Sequence, residues 1–227
     1  MLLSVIVPVF NEVNTIEKIL LIIREQKIKK EIIIVDDFST DGTREILMRE
    51  ENDETKIIFH SKNLGKGFAI RTGLEQVSGE VVIIQDADLE YDPKDYDKLL
   101  EPITSGKAEV VYGSRCLGKN NKKSYLRFYL GGIFLTWLTN ILYGSKITDE
   151  PTCYKVFKTE VLRKLELKCK RFEFCPEVTA KVLRNGYHIY EVPISYNPRL
   201  IDEGKKIGWK DGCIAIFTLL KYRFLVE

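Results

Sequence analysis

An α/β fold with a mostly parallel central sheet flanked by helices is predicted by three observations. Strand-like apolar runs at 3–7, 31–35, 56–59 and 81–85 alternate with helix-like segments at 14–26, 42–51 and 66–77. Polar clusters stand after each strand, at Asn11-Glu12, Asp36-Asp37, Asn63-Leu64-Gly65 and Asp86 to Glu90, where the loops of such sheets converge on one crevice. A chain of 227 residues with 44% hydrophobic content can also bury one full core. The expectation is a single Rossmann-like domain over 1–212, closed by a C-terminal amphipathic helix over 213–227.

Each element has its own reason. The first run, Leu3 to Pro8, is apolar but lacks a basic start and a small-residue cleavage site, so it reads as a strand and not a signal peptide. Pro8-Val9-Phe10-Asn11-Glu12 follows it where a GxGxxG would stand, which argues against an ordinary NAD-binding domain. Asp36 and Asp37 close the second strand, and they either cap the helix after Gly42 or face the crevice. Gly65-Lys66-Gly67 looks like a phosphate cradle but lacks the Walker spacing, so a tight turn opening a helix is the better reading. Val81 to Ile84 empties into Gln85-Asp86-Ala87-Asp88-Leu89-Glu90. On an extended backbone the alternation puts Asp86, Asp88 and Glu90 on one side. Three crowded carboxylates without His or thiolate favour a hard cation, Mg²⁺ or Mn²⁺. The competing reading is an acidic turn into a helix capped at Asp92-Pro93.

The second half is less regular. Val110 to Tyr112 reads as a strand ending in Gly113-Ser114-Arg115. Leu130, Ile133, Phe134, Trp137, Leu138, Ile141 and Leu142 form an apolar stripe, opposite Gly132, Thr136, Thr139 and Asn140. The stripe fits either a core helix or, given the basic lead-in at Arg115, Lys119, Lys122, Lys123 and Arg127, a helix lying on a membrane surface. Glu177 to Arg184 reads as a helix, His188 to Tyr196 as a strand, and Cys213 to Leu225 as a surface-packed or membrane-facing helix. The segment from Pro198-Arg199 to Trp209, with Gly204, Lys205 and Lys206, has the composition of a loop over an anionic ligand.

Composition excludes some partners. Thirty-five basic against 33 acidic residues leave a formal charge of +2, which gives no global drive towards nucleic acid. Five cysteines, none in a CxxC pair, fit neither a zinc site nor a full disulfide framework and point to a reducing cytoplasmic compartment.

Taken in order, Pro8 to Glu12, Val35 to Thr43, Asn63 to Gly67, Asp86-Ala87-Asp88 and Gly113-Ser114-Arg115 resemble a family 2 glycosyltransferase of the GT-A fold. Asp149 to Lys155, Arg171 to Phe174 and Glu191 to Ile194 extend the resemblance to the dolichol-phosphate mannose synthase and polyprenyl-phosphate glycosyltransferase branch, over about 3–212. The resemblance implies an inverting, metal-dependent transfer of a hexose from a nucleoside-diphosphate sugar, GDP-mannose or UDP-glucose, to a polyprenyl or dolichyl phosphate. Pro8, Phe10, Glu12, Asp37 and Asp86 would bind the nucleotide, with Arg199 and Lys205 on the diphosphate. Asp86, Asp88 and Glu90 would hold Mg²⁺ or Mn²⁺. Asp88, Arg115, Arg127 and Asp149 would act at the reacting centre, Arg115 on phosphate and Asp149 or Glu150 as base if the acceptor were a hydroxyl. The expected place is the cytoplasmic face of a membrane, through peripheral contact or an anchoring subunit. The alternatives are a family 2 enzyme with a sugar-hydroxyl acceptor and a non-catalytic nucleotide-binding module.

Overall fold

The computed structural model describes residues 1–118, 121, 125–199 and 208–225. Seven strands form one sheet in the order β3-β2-β1-β4-β6-β5-β7. The strands are β1 (Leu3–Val9), β2 (Lys30–Asp36), β3 (Thr55–Phe59), β4 (Val81–Ile84), β5 (Val110–Ser114), β6 (Lys155–Lys158) and β7 (Ile189–Pro193). All pairings are parallel except those of β6, which runs against both β4 and β5. The helices are α1 (Ile16–Glu25), α2 (Thr43–Leu47), α3 (Lys66–Glu75), α4 (Tyr96–Thr104), α5 (Leu126–Tyr143), α6 (Thr159–Lys164), α7 (Phe174–Arg184) and α8 (Trp209–Phe224).

Strand alternation builds a core on each face of the sheet. Leu3, Val5, Val7 and Val9 of β1 pack with α1 and α4, while Ile6 joins the cluster under α3, α6 and α7. Helix α1 contributes Ile16, Ile19, Leu20 and Ile23, the spacing of one helical face. Pro8 is tolerated in a central strand because it lies past the last β1–β4 register pair, Ile6↔Ile84, so its missing amide hydrogen leaves no ladder bond unmade.

Several expectations need correction. Strand β6 is absent from the sequence reading, because Lys155 and Lys158 bracket only two apolar residues. Lys155 is nevertheless fully buried: its ammonium lies 3.5 Å from the centre of the Tyr112 ring and donates to the Glu150 carbonyl at 2.8 Å. Helix α2 stops at Leu47 rather than near 51, and α7 starts earlier, at Phe174, with Pro176 in its first turn where no amide hydrogen is needed.

Helix α5 is the largest departure from a core helix. Its polar side faces the protein: Thr136 and Thr139 are buried, the Thr136 hydroxyl accepts from Glu150 N at 3.0 Å, and Asn140 Nδ2 donates to the Ile147 carbonyl at 2.8 Å. Its apolar stripe is split: Leu138 and Leu142 pack against Leu219 and Tyr222, while Trp137, 56% exposed, and Ile141, 60% exposed, face out. Helix α8 packs against α5 and α7 through Leu219 and Tyr222 and leaves Trp209, Phe217 and Phe224 exposed. Of the basic lead-in to α5, Lys119, Lys122 and Lys123 lie outside the described residues.

Candidate functional site

The crevice forms where β1, β2 and β4 end and β6 begins. An antiparallel strand starts at the edge where its parallel neighbours finish, so Asp149 to Cys153 are delivered beside the Asp86 loop and Arg115.

Beyond Ile84 the backbone does not continue extended as expected. It bends through 87–90, and Asp88 Oδ1 accepts from Glu90 N at 2.9 Å, a turn closed by its own side chain. Glu90 has partners of its own, although its charge still bears on Asp88. It accepts from Tyr196 OH at 3.1 Å and from Arg199 N at 2.8 Å. No set of three or more His, Cys, Asp or Glu side chains among the described residues is gathered as a ready metal cluster.

Asp86 and Asp88 carry opposite electrostatic burdens. Burial and the neighbouring Asp86 charge push Asp88 up to about 7. Burial also opposes ionisation of Asp86, but the Lys66 ammonium paired with it more than compensates and holds it below the usual carboxylate range. Arg199 supplies the remaining positive charge. Its guanidinium reaches Glu12 at 3.0 Å and Asp88 at 2.7 Å, tying the loop after β7 to the ends of β1 and β4. A buried set of carboxylate oxygens that recruits an arginine as internal cation has the donor chemistry of a hard divalent ion. Asp88 and Asp86 are the residues that would hold one.

This geometry gives a direct expectation for Arg199. Its charged hydrogen bonds to Glu12 and Asp88 oppose any other cation there, and such bonds contribute about 1.5–3 kcal/mol. Arg199→Met is expected to tighten Mn²⁺ binding to the nucleotide-free chain roughly tenfold, measured by calorimetry. Unchanged or weaker binding would show that guanidinium and ion do not compete.

The other predicted residues fall into three groups. Asp37 is buried, with both oxygens engaged: Oδ1 with His60 Nδ1 and Leu64 N, each at 2.8 Å, and Oδ2 with Gly65 N at 2.7 Å. It therefore shapes the 63–65 turn at the crevice. The amides of Gly67 and Phe68 donate to the Arg171 and Lys170 carbonyls, which are not phosphate contacts. A Cβ at Gly65 would come within 2.4 Å of the Lys170 oxygen, which explains the glycine. Pro8 and Phe10 line the end of β1, both partly buried.

Arg115 and Asp149 form one unit. Arg115 donates to Asp149 from its backbone N and Nε at 2.8 Å and from Nη2 at 2.7 Å, and its guanidinium lies 5.1 Å from the centre of the Tyr196 ring. Glu191 holds the Asp149 amide at 3.1 Å. Glu150 is fully buried and makes no hydrogen bond of good geometry. Burial pushes its carboxyl up to about 8. Arg127 is exposed at the start of α5, its guanidinium 4.9 Å from the Phe128 ring centre, and it makes no contact with Asp88, Arg115 or Asp149. Lys205 lies outside the described residues.

Sequence reasoning did not assign Lys66 to the site. Its signal was its place between Gly65 and Gly67 at a crevice loop, but nothing in one dimension pairs it with Asp86. Tyr196 and Glu191, which hold Glu90 and Asp149, were likewise invisible as site residues.

Known proteins resemble this chain in sequence and fold. The glycosyl transferase family 2 profile matches residues 4–166. A UDP-N-acetylglucosamine–dolichyl-phosphate N-acetylglucosaminyltransferase of Methanococcus voltae is 32% identical over 213 residues, 85% of this chain and 84% of that one. The low-salt glycan biosynthesis hexosyltransferase Agl6 of Haloferax volcanii is 30% identical over 203 residues, 87% of this chain; the match spans only 48% of that relative's length. Glucosyl-3-phosphoglycerate synthase from Mycobacterium tuberculosis, solved with Mn²⁺, UDP and phosphoglyceric acid, aligns at TM-score 0.73 and 19% identity over 99% of this chain and 79% of its own. The mannosyltransferase PcManGT from Pyrobaculum calidifontis, solved with GDP-Man and Mn²⁺, aligns at 0.64 and 22% identity over 98% of this chain and 62% of its own. The fold is GT-A, a single α/β domain with a mostly parallel sheet.

Proposed function

Because the chain belongs to glycosyl transferase family 2, we propose that it transfers a hexose, with inversion, from a nucleoside-diphosphate sugar to a polyprenyl or dolichyl phosphate at a membrane surface. The observation behind the acceptor class is the state of the two carboxylates that a hydroxyl acceptor would need. Asp149 has both oxygens bonded to Arg115, and Glu150 is sealed in the core away from the crevice surface. Neither is available as a general base. A lipid monophosphate needs none, because its second ionisation lies near pH ~6 and it arrives mostly as the dianion.

In the reaction an acceptor phosphate oxygen attacks the anomeric carbon, and the bond from that carbon to the diphosphate oxygen breaks with its electron pair leaving on the nucleotide. The departing diphosphate is the group that needs positive charge. Arg199 meets it by exchanging Glu12 and Asp88 for phosphate oxygens, and Lys66 keeps Asp86 ionised beside it. A divalent cation held by Asp88 and Asp86, when bound, supplies Lewis-acid stabilisation of the same leaving group. Arg115, clamped and oriented by Asp149, is placed to position the acceptor phosphate. Both solved neighbours named above contain Mn²⁺ and a nucleoside diphosphate or its sugar, which supports this donor chemistry.

The outward apolar sides of α5 and α8 support the membrane reading. No helix among the described residues is long and apolar enough to cross a bilayer, but two helices presenting Trp137, Ile141, Trp209, Phe217 and Phe224 to solvent can lie in its interface. Arg127, Lys210 and Arg223 on the same helices add about 1 kcal/mol each near an anionic leaflet.

The test is a transfer assay with UDP-glucose, UDP-N-acetylglucosamine and GDP-mannose, each with and without dolichyl or polyprenyl phosphate, alongside flotation with phosphatidylglycerol vesicles. Lipid-phosphate-dependent release of nucleoside diphosphate is expected, together with vesicle binding that Trp137→Glu with Phe217→Glu removes. Transfer to a free sugar hydroxyl without the lipid phosphate would replace this acceptor.

A further inference from the structure

Two cysteines meet beside the crevice. Cys153 stands two residues before β6, and Cys175 is the second residue of α7, 22 positions later. Each thiol shifts the ionisation of the other, which marks them as neighbours. Lys66 Nζ donates to Cys153 Sγ at 3.3 Å while pairing with Asp86, and Cys175 Sγ donates to the Thr152 carbonyl at 3.6 Å. Both residues are partly exposed, and neither thiol has been given a role in transfer. The other three cysteines differ: Cys169 is buried against Gly67, and Cys116 and Cys213 are exposed.

We propose that Cys153 and Cys175 form a redox-modification site, closed by a hydroperoxide into a disulfide that disturbs the Lys66–Asp86 pair. In the first step the Cys175 sulfur attacks the peroxide; the O–O bond breaks, sulfur is oxidised by two electrons to a sulfenic acid, and the peroxide is reduced to an alcohol or water. In the second, Cys153 attacks that sulfur, the S–S bond forms, the S–O bond breaks, and the departing hydroxide takes the Cys153 proton as water. The division of roles follows from the surroundings. The Cys153 thiol beside it, with the Lys155 and Lys66 ammonium groups, outweighs burial and holds the Cys175 thiol below its ordinary value, which favours it over Cys153 as the attacking sulfur. Its place in the first turn of α7 acts in the same direction.

The disulfide would deprive Lys66 of its sulfur acceptor and draw on the Glu150 to Tyr154 segment, which Thr152 fixes to the Gly113 carbonyl at 2.6 Å and Tyr91 OH fixes at Cys153 N at 3.2 Å. Oxidation is therefore coupled to the site.

The experiment treats the full chain with hydrogen peroxide, blocks remaining thiols with N-ethylmaleimide and maps the peptides by mass. The expected product is a cross-linked peptide joining Cys153 and Cys175, about 2 Da lighter than the two reduced peptides and formed before Cys116 or Cys213 reacts. Dithiothreitol should reverse it, together with a roughly tenfold loss of transfer relative to the reduced chain. In Cys153→Ser, a sulfenic acid trapped by dimedone at Cys175 is expected, so the first step is read even if Cys175→Ser folds poorly. Separate alkylation of both cysteines after oxidation, or dimers joined through Cys116 or Cys213 instead, would overturn the proposal. The peptide map needs no catalysis, so its outcome is independent of the acceptor assignment.

Discussion

Asp88→Ala is expected to lower kcat for sugar transfer by roughly 10²–10³-fold, a loss of ~3–4 kcal/mol of transition-state stabilisation. In the proposed reaction Asp88 lies where the leaving diphosphate is neutralised, and its neighbours divide the work: Lys66 is spent on Asp86, and Arg199 bridges Asp88 to Glu12. Removing the carboxylate takes away the anchor for a cation without opening the core, because Arg199 keeps Glu12 as partner. The fold should survive the change, and with it goes a carboxyl that burial already pushes up to about 7. Steady-state kinetics, Mn²⁺ titration by calorimetry and a thermal melt separate these effects. Wild-type turnover in the variant would remove the basis of the donor-site reading.

Glu150→Gln should change how stability depends on pH. The folded-state carboxyl is raised from an ordinary 4.5 to about 8, chiefly by burial, so the folded chain keeps a proton that the unfolded chain gives up. Between those values the folded state binds more protons, and stability must fall as pH rises. The contribution is fully present below 4.5 and is lost as pH rises through about 8. A shift of that size corresponds to about 5 kcal/mol, or roughly 15 °C in Tm for a chain of this length. Glutamine keeps the shape and cannot ionise, so the variant should show a flatter profile and a higher Tm at pH ~8. Lys155, buried beside it with its own pKa lowered by burial, acts in the opposite direction, which is why the comparison must be made between the two proteins and not from one melt. Parallel pH profiles would show that Glu150 is not the titrating group.

Much of the nucleotide half was legible because its physics is local. Three buried strands and the edge strand β3, with polar residues at their carboxyl ends, announce both sheet and crevice, and Glu12, Asp37, Asp86 and Asp88 fall at the predicted loops. What could not be read depends on partners distant in sequence. Lys155 looks like a surface residue until the Tyr112 ring and the Glu150 carbonyl are set around it. Thr136 and Thr139 look like the solvent side of α5, yet they are its inner side, because Glu150 N and the Gly132 carbonyl give the Thr136 hydroxyl its hydrogen bonds. Asp86, Asp88 and Glu90 alternate as a strand would, but the Asp88 side chain closes its own turn and sends Glu90 to Tyr196. Alternation predicts a shared face only while the backbone stays extended.

Strand β6 runs backwards between β4 and β5, and this separates two kinds of specificity along the chain. In the proposed reaction the stretch that selects the nucleotide ends near residue 90, whereas the lining opposite it comes from the residues that lead into a single reversed strand. Of residues 149–153 only Pro151 and Cys153 are partly exposed, so on that reading changes at these two positions would retune the acceptor side while the parallel half is inherited unchanged.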